Sequence, residues 1–274
     1  MLTCYKTVRA LLVCAAGGVV FAAFLIGCST HSMHTKPITL RVMTYNIHHG
    51  EGLDGKVDLL RIAQLIQREG ADIVALQEVD KGVARTARRD LPAELAELTG
   101  MACVFSNNFP YQGGEYGNAV LTRFPVRRVT NTRYQMLRAG EQRGLLQLVL
   151  DVRGHELVFM NTHIDYRPDD AERMLNVGEI ETQMQQHPGR SMILCGDFNA
   201  PPESRVCRRL SERLDDTWAR IGPDAGFTIP AQRPNKRIDY IWITKEKSLV
   251  PLRAWVPQSD ASDHLPVVAE FHLR

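Results

Sequence analysis

The chain has 274 residues, 44% of them hydrophobic, and its 33 Lys and Arg nearly balance 31 Asp and Glu, for a formal net charge of +2. This length suits one α/β domain rather than two. A protein that binds nucleic acid usually carries an excess of basic residues. The bulk charge therefore gives no support for that class of partner, although it does not exclude a local basic patch.

The N-terminus predicts the compartment. Lys6 and Arg9 precede the apolar run 10–27, which ends in Leu25-Ile26-Gly27-Cys28. A basic start, an apolar stretch and a small residue before the cut are typical of a secretory signal. The Cys after Leu-Ile-Gly resembles a bacterial lipoprotein box, with Cys28 as the lipidated first residue. The alternative is an uncleaved anchor helix, because the apolar run is at the lower limit for a membrane span.

The segment behind Cys28 predicts a lipidated tether over residues 28–37. Ser29 rather than Asp follows the cysteine, which in Gram-negative lipoproteins implies sorting to the outer membrane, facing the periplasm. Cleavage removes Lys6 and Arg9, which lowers Lys and Arg from 33 to 31, equal to the 31 Asp and Glu. We therefore expect a nearly neutral mature protein, held to the membrane by its lipid anchor, and a monomer.

Apolar periodicity predicts one folded domain over residues 38–274. Helices are predicted at 57–69, 90–98, 169–186 and 203–213. Strands are predicted near 38–46, 72–77, 101–105, 118–123, 145–152, 155–163, 191–196, 237–243, 249–256 and 265–272, with a hairpin turn at Arg153-Gly154. Mixed strands with few helices fit two packed sheets flanked by helices.

Three cysteines besides the lipidation site Cys28 remain after cleavage. Cys103 and Cys195 lie in apolar strand runs and are expected to be buried free thiols. Cys207 lies in a polar, Arg-rich segment and is expected to be exposed. The chain shows no CxxC or His/Cys spacing of the kind that binds structural zinc.

Polar residues stand at the ends of many predicted strands. The runs Gly196-Asp197-Phe198-Asn199 and Ser262-Asp263-His264 each follow an apolar stretch. Other strand ends carry Asn46, Glu78, Asn118, His163 and Asp239. One such residue is usually a turn former or a cap, but so many together indicate a shared, oxygen-rich polar cleft.

These motifs resemble the endonuclease/exonuclease/phosphatase superfamily, in the family's order and over roughly residues 38–274. The resemblance implies a four-layer α/β sandwich with two packed mixed sheets, and phosphoester hydrolysis. It rests on Thr44-Tyr45-Asn46-Ile47, Leu76-Gln77-Glu78-Val79-Asp80, Tyr116-Gly117-Asn118, Asn161-Thr162-His163, the two runs above and Arg237-Ile238-Asp239-Tyr240.

The resemblance also implies roles for individual residues. Glu78 is the implied principal metal ligand, and Asn46 and Asp263 are the further implied metal-binding residues. Carboxylate and amide oxygens suit Mg²⁺ or Mn²⁺. Catalysis falls to Asp197 as the base, Asn199 as the residue that orients the water or phosphate, His264 held by Asp239, and His163 on the other side of the phosphate. Which carboxylate is the base, and whether one or two metals act, stays open.

Substrate contacts are predicted less sharply. Asn118 is a candidate phosphate contact. Arg143 lies near the phosphate or forms a surface salt bridge, and the Arg85–Arg89 loop captures phosphate or is a solvated charged loop. Tyr116 and Arg123 are weaker candidates. Adjacent His48 and His49, in a strand, would face opposite sides, which favours surface or substrate contact over a transition-metal site.

Two function classes remain open from the sequence. The first is a metal-dependent phosphoester hydrolase of the cell envelope that acts on a small or lipid-linked phosphodiester. Within this class, the alternative is a periplasmic nuclease. The second is a catalytically silent envelope-binding lipoprotein. The complete set of polar strand-end residues favours the enzyme, because a binding module has no need for all of them.

Overall fold

The computed structural model describes residues 38–245 and 248–274. The predicted signal, the lipidation site Cys28 and the tether lie outside the described residues. Among the helices of the described part, none is long and apolar enough to cross a membrane.

Strands dominate the described chain. The helices are α1 (Leu59–Glu69), α2 (Leu91–Thr99), α3 (Ala171–Met184), α4 (Arg205–Ser211) and α5 (Thr217–Ile221). The strands are β1 (Ile38–Asn46), β2 (Ile73–Lys81), β3 (Ala102–Tyr111), β4 (Gly114–Thr122), β5 (Val126–Arg133), β6 (Gly144–Val152), β7 (His155–His163), β8 (Ser191–Asp197), β9 (Leu214–Asp216), β10 (Asp239–Thr244), β11 (Leu249–Trp255) and β12 (Val267–Leu273).

The strands form two mixed six-stranded sheets. Sheet one has the order β11-β12-β1-β2-β4-β3, and sheet two has the order β5-β6-β7-β8-β10-β9. In each sheet one central pair is parallel, β1 with β2 and β7 with β8, and every other pair is antiparallel. Parallel neighbours end at the same edge of a sheet, so the polar residues at their carboxyl ends lie side by side.

Three apolar layers hold the sheets and helices together. The inner faces of the sheets pack on each other through residues such as Val42 and Phe159. Helices α1 and α2 cover the outer face of sheet one, with Ile62 among the buried residues. Helices α3 and α4 cover sheet two, where Ile180 is buried. The four-layer α/β sandwich is confirmed.

Helix α1 shows how the local sequence sets an element's bounds. The Asp58 side chain accepts a hydrogen bond from Leu60 N at the start of the helix, as an N-cap does. Gly70 ends the helix in the left-handed conformation, which glycine adopts at little cost. The predicted apolar stripe is the buried face.

Several elements differ from the sequence prediction. Strand β5 was not predicted because its sequence, VRRVTNTR, is polar, and it is an exposed edge strand paired only with β6. Strand β9 and helix α5 are too short to show a period. The prediction for Cys207 was wrong. It is 3% exposed because Val206, Cys207 and Leu210 form the buried face of α4.

Three strands extend beyond their predicted bounds. Strand β2 runs past Glu78 to Lys81, and β3 and β4 extend into a long hairpin over residues 106–117. Polar residues and glycines interrupt the apolar pattern in both places, which is why the sequence predicted shorter strands. Both extensions lie beside the polar cleft described next.

Candidate active site

A bulge in β2 places Glu78. The register between β2 and β4 shifts between Leu76 and Val79, and Glu78 has a φ of 58°, in the left-handed region. A β-bulge re-aims side chains and leaves part of the ladder unpaired. Here Asn161 of β7 donates to the carbonyls of Leu76 (2.9 Å) and Ala119 (2.8 Å). Sheet two thus stabilises the bulge that carries Glu78.

The register of sheet two gathers three further residues. His163 pairs with Asp197 across the parallel strands β7 and β8, and Asp239 pairs with Asp197 across β8 and β10. All three are buried. The backbone hydrogen-bond ladder therefore fixes these side chains at one edge of the sheet.

Asn46 joins the two sheets at this edge. Its amide nitrogen donates to Glu78 Oε1 (3.0 Å) and to Asp197 Oδ2 (3.1 Å), and its amide oxygen accepts from His48 N (3.1 Å). In this arrangement Asn46 acts as a donor between two carboxylates rather than as an oxygen ligand. Two carboxylates that converge on one amide form an oxygen-rich pair that suits a hard divalent cation.

His264 forms a buried pair with Asp239. Its Nδ1 lies 2.9 Å from Asp239 Oδ2, which also accepts from Thr228 Oγ1 (2.5 Å). Burial alone would lower the pKa of His264, but the charge and hydrogen bond of Asp239 outweigh it and raise that pKa to about 10. His264 is therefore an imidazolium at neutral pH, with Nε2 3.8 Å from Asp197 Oδ2.

The pKa of Asp197 is shifted in the direction that suits a base. Burial raises it from 3.8, and the charge of Asp239 adds to this, while His264 and the hydrogen bonds from Asn199 N and Asn46 oppose it, to give about 7. A general base works best when its pKa lies near the working pH. Asp197 meets that condition.

His163 behaves in the opposite way to His264. Burial lowers its pKa well below 6.5, and the charges of Arg143 and His264 lower it further. The Asn199 amide nitrogen lies 3.0 Å from His163 Nε2. Because an amide nitrogen can only donate, Nε2 accepts this bond, and the ring is neutral.

A cavity of about 300 Å³ contains these groups. Its lining residues fall into two sets. The floor is defined by Glu78 in the β2 bulge, by His163 and Asp197 at the ends of β7 and β8, and by the loop residues Asn199 and His264. The wall is defined by Arg85, Phe109, Tyr111, Tyr116, Glu141, Arg143 and Tyr166. Asn46 and Asp239 bond directly to floor residues from behind.

Both arginines of the wall are paired with carboxylates. Arg85 donates through Nε and Nη2 to the buried Asp80, both at 2.8 Å, and its guanidinium lies over the Tyr111 ring. Arg143 Nη1 lies 2.9 Å from Glu141 Oε1, and its guanidinium lies 5.7 Å from the centroid of the Tyr166 ring. Arg143 is thus a buried residue beside the floor, not part of a surface salt bridge.

Other predicted site residues lie outside the cavity lining. Asn118 is buried and donates to Gly144 O (3.2 Å). The side chain of Asp263 is 45% exposed and lies 4.0 Å from His48 Nδ1. Arg123 donates to Ala71 O, and of the Arg85–Arg89 loop only Arg85 reaches the cavity.

The neighbouring histidines were assigned to the wrong local structure. His48 and His49 lie in a 3₁₀ turn rather than in a strand, and both have positive φ angles, 44° and 46°. His49 is buried, with Nε2 3.5 Å from Glu51 Oε2.

Outside the β3–β4 hairpin, sequence reasoning missed four residues of this site. Glu141 and Tyr166 belong to the cavity wall, Asp80 holds Arg85, and Thr228 holds Asp239. Only Asp80 had a signal, as the last residue of Leu76-Gln77-Glu78-Val79-Asp80. The other three lie in loops without periodicity.

A second arrangement of possible ligands overlaps the floor. Ligand atoms of Asp197, Asp239 and His264 lie within 4.8 Å of one another, and all three residues are buried. The hydrogen bond between His264 and Asp239 already uses two of these atoms. This group of three residues is therefore a poorer match for a hard cation than the Glu78 carboxylate.

Comparison with known proteins agrees with this geometry. Residues 43–264 match the model of the Endonuclease/Exonuclease/phosphatase family. Uncharacterized protein YbhP of Escherichia coli is 28% identical over 258 residues, which cover 87% of this chain and 98% of that protein. An endonuclease/exonuclease/phosphatase from Beutenbergia cavernae is 28% identical with a TM-score of 0.72, over 86% of this chain and 72% of that one.

Two more distant structures share the fold alone. Mannosyl-6-phosphatase Bt3783 of Bacteroides thetaiotaomicron is 19% identical with a TM-score of 0.70, over 85% of this chain and 99% of that one. TDP2 from Caenorhabditis elegans is 22% identical with a TM-score of 0.68, over 88% of this chain and 78% of that one.

Proposed function

Because the chain belongs to the endonuclease/exonuclease/phosphatase family, whose members are phosphoesterases or nucleases, we propose that it is a divalent-metal-dependent phosphoester hydrolase. The observation that carries the proposal is the register of His163, Asp197 and Asp239 at one sheet edge, opposite Glu78 of the other sheet. A binding module has no need for a base with a pKa near neutrality beside an imidazolium.

The donor set fits Mg²⁺ or Mn²⁺. Glu78 would hold the ion, Asn46 would orient the Glu78 carboxylate through its amide nitrogen, and the half-exposed Asp263 would act at longer range. When bound, such an ion polarises a phosphoryl oxygen and stabilises developing negative charge. Carboxylate and amide oxygens are the ligands that these cations prefer over thiols and clustered imidazoles.

The chain's own residues supply the remaining chemistry. Asp197 takes a proton from the attacking water, and Asn199, whose backbone nitrogen donates to Asp197 Oδ1 (2.9 Å), orients that water or the phosphate. The His264 imidazolium offers a charged donor to a non-bridging phosphate oxygen. His163 and Arg143 contact the phosphate from the other side.

A phosphodiester suits this charge pattern. Arg85 and Arg143 already pair with carboxylates, so the wall offers little uncompensated positive charge to a second phosphate. Nucleic acid is bound chiefly through such cations, and its affinity falls steeply with salt. We therefore favour a small or lipid-linked phosphodiester over DNA.

A phosphoester panel tests the proposal. The purified protein, stripped with EDTA, should hydrolyse none of the panel, and activity should return with Mg²⁺ or Mn²⁺. The panel includes phosphodiesters, phosphomonoesters and plasmid DNA. Full activity in a rigorously metal-free preparation would rule out this mechanism. Efficient plasmid nicking at low enzyme concentration would identify a nuclease, and silence on the whole panel would leave the binding lipoprotein.

The envelope location is proposed from the N-terminal sequence. We expect Cys28 to carry the lipid, so Cys28→Ser should abolish lipid attachment and leave the precursor uncut at this site. Mass spectrometry of the mature N-terminus from a lipoprotein-competent bacterium measures both. A cut elsewhere with unmodified Cys28 would contradict the lipoprotein assignment.

A further inference from the structure

Glu141 is a carboxylate in the cavity wall that the hydrolytic mechanism does not use. Its side chain is 27% exposed and lies beside the buried Arg143, and Tyr116 is a further hydrogen-bond partner. Burial raises its pKa. A carboxylate in this position disfavours a second anion and favours a group that donates a hydrogen bond.

The charges around Glu141 limit the kind of hydrogen-bond donor that it can accept. Arg143 lies close enough to affect the pKa values of His163 and Glu141, so an added cation would meet a positive neighbour. The second arginine of the wall, Arg85, is held by Asp80 and by two tyrosine rings. A neutral hydroxyl group satisfies the free acceptor capacity of Glu141 without adding charge.

Aromatic rings supply the rest of the surface. Phe109 and Tyr111 stack with centroids 5.9 Å apart at one part of the wall, and Tyr166 is 62% exposed. Such rings offer apolar faces to the carbon skeleton of a ligand, while a few polar groups fix its orientation. A carboxylate among aromatic faces therefore matches an alcohol with several hydroxyls and exposed C–H groups.

We propose that Glu141 accepts a hydrogen bond from a hydroxyl on the alcohol part of the substrate, which makes the substrate a phosphoester of a polyol, with sugars included. The proposal rests on the proposed hydrolase function. Glu141 is a specificity-determining residue in it, and it leaves the bond-breaking step to the floor.

Matched substrates isolate the hydroxyl groups. Glycerol 3-phosphate and propyl phosphate differ only in two hydroxyls, and glycerophosphoglycerol and dipropyl phosphate differ only in four, two on each alcohol. Each pair therefore gives a kcat/KM ratio, one for monoesters and one for diesters. A site built to bond a hydroxyl rejects the analogue that lacks it by up to ~10⁴-fold when it is fully buried. Because Glu141 is partly exposed, we expect a ratio of at least about tenfold.

Variants assign that ratio to Glu141. Glu141→Gln should lower the ratio and Glu141→Ala should bring it close to one. Glu115→Gln is the matched control, since Glu115 lies outside the cavity lining beside Lys81 and Asn107. This variant should leave the ratio unchanged. Vesicles of phosphatidylglycerol, compared with glycerophosphoglycerol, distinguish a lipid headgroup from a soluble polyol ester.

Three results would overturn the proposal. Equal losses on glycerol and propyl esters would mean that Glu141 only positions Arg143. A higher Mg²⁺ requirement for both esters in Glu141→Gln would make Glu141 a metal ligand. A wild-type ratio near one would exclude hydroxyl recognition.

Calorimetric binding of the same pairs separates this proposal from the hydrolase function. Tighter binding of the glycerol esters without any turnover would support the polyol subsite and refute the hydrolase. Turnover of both esters, with no difference between them in rate or in binding, would support the hydrolase and refute the polyol subsite.

Discussion

The floor and the wall of the cavity are held in place by different means. Floor residues lie in strands or in the loops that directly adjoin them, and the hydrogen-bond ladders of the sheets fix positions such as those of His163 and Asp197, with Asp239 behind them. The wall is built from the β3–β4 hairpin and from loops, and its members are held by side-chain pairs such as Arg85–Asp80. Positions set by a sheet are hard to change singly, whereas loop side chains can vary without disturbing the fold.

This difference separates chemistry from specificity. A general base must lie within hydrogen-bond reach of the proton that it takes, and a rigid sheet edge provides that accuracy. Substrate choice depends on which side chains line the cavity rather than on exact placement, and the side chains of the wall can differ without disturbing the sheets. The floor also carries backbone strain, since Glu78 and Asn199 have φ angles of 58° and 45°. Strain of this kind clusters at functional sites, where the surrounding structure stabilises it.

The largest effect is expected from the floor. Asp197→Asn removes the proposed base and His264→Ala removes the proposed imidazolium, so each should lower turnover by roughly 10²–10⁴-fold. Asp197→Asn conserves side-chain size and should leave the fold intact. Rates at saturating substrate and thermal melting measure the two properties.

Asp169→Asn is the matched control for Asp197→Asn, because Asp169 is an exposed carboxylate paired with Arg138 outside the cavity. It should keep wild-type turnover. If Asp197→Asn or His264→Ala turns over at a near-wild-type rate and melts normally, its assigned role is wrong, and the contrast between floor and wall fails with it.

The pH dependence of stability sharpens the comparison within the floor. Asp239 raises the pKa of His264 from 6.5 to about 10, so in metal-free protein this pair stabilises the fold fully below pH 6.5. The stabilisation is lost as the pH rises toward about 10, because the unfolded chain has then already released the proton. Asp239→Asn should therefore lower the melting temperature strongly near pH 6.5 and much less near pH 10.

Imidazole NMR shifts check the same pair directly. His264 should be doubly protonated at pH 8 in the wild type and neutral in Asp239→Asn. His163 provides the internal control, since its pKa is lowered well below 6.5, and it should already be neutral at pH 7. A neutral wild-type His264 at pH 8, or a pH-independent loss of stability in Asp239→Asn, would contradict the charged pair.

Most of the floor could be predicted from the sequence. Asp197 and His163 follow apolar runs, so their places at strand ends were visible locally, and the family resemblance gave their order. What the sequence could not give was the register that aligns Asp197 with Asp239, because register depends on pairing between distant segments. The bulge at Glu78 could not be predicted for the same reason, because Asn161, which stabilises it, lies in the other sheet.

Most of the wall could not be predicted. Glu141 and Tyr166 lie in loops with no apolar period, and the hairpin that carries Phe109 and Tyr111 interrupts its pattern with polar residues and glycines. Their contribution to one cavity comes from tertiary packing alone. Asn118 is a different case: the motif places it at the substrate, and its amide donates to Gly144 O in the folded chain, so its substrate contact stays a prediction.

The smallest effect is expected from a single wall residue. Tyr166→Ala removes an exposed ring of the cavity wall that lies beside Arg143. An aromatic contact contributes about 0.5–1.5 kcal/mol, so KM should rise roughly two- to tenfold with kcat nearly unchanged.

Tyr166→Phe keeps the ring and should behave as wild type. Phe227→Ala, an exposed ring outside this cavity, should change neither constant. A fall in kcat for Tyr166→Ala as large as that for Asp197→Asn would mean that the wall takes part in the chemistry, because only interactions made in the transition state alter kcat and kcat/KM equally.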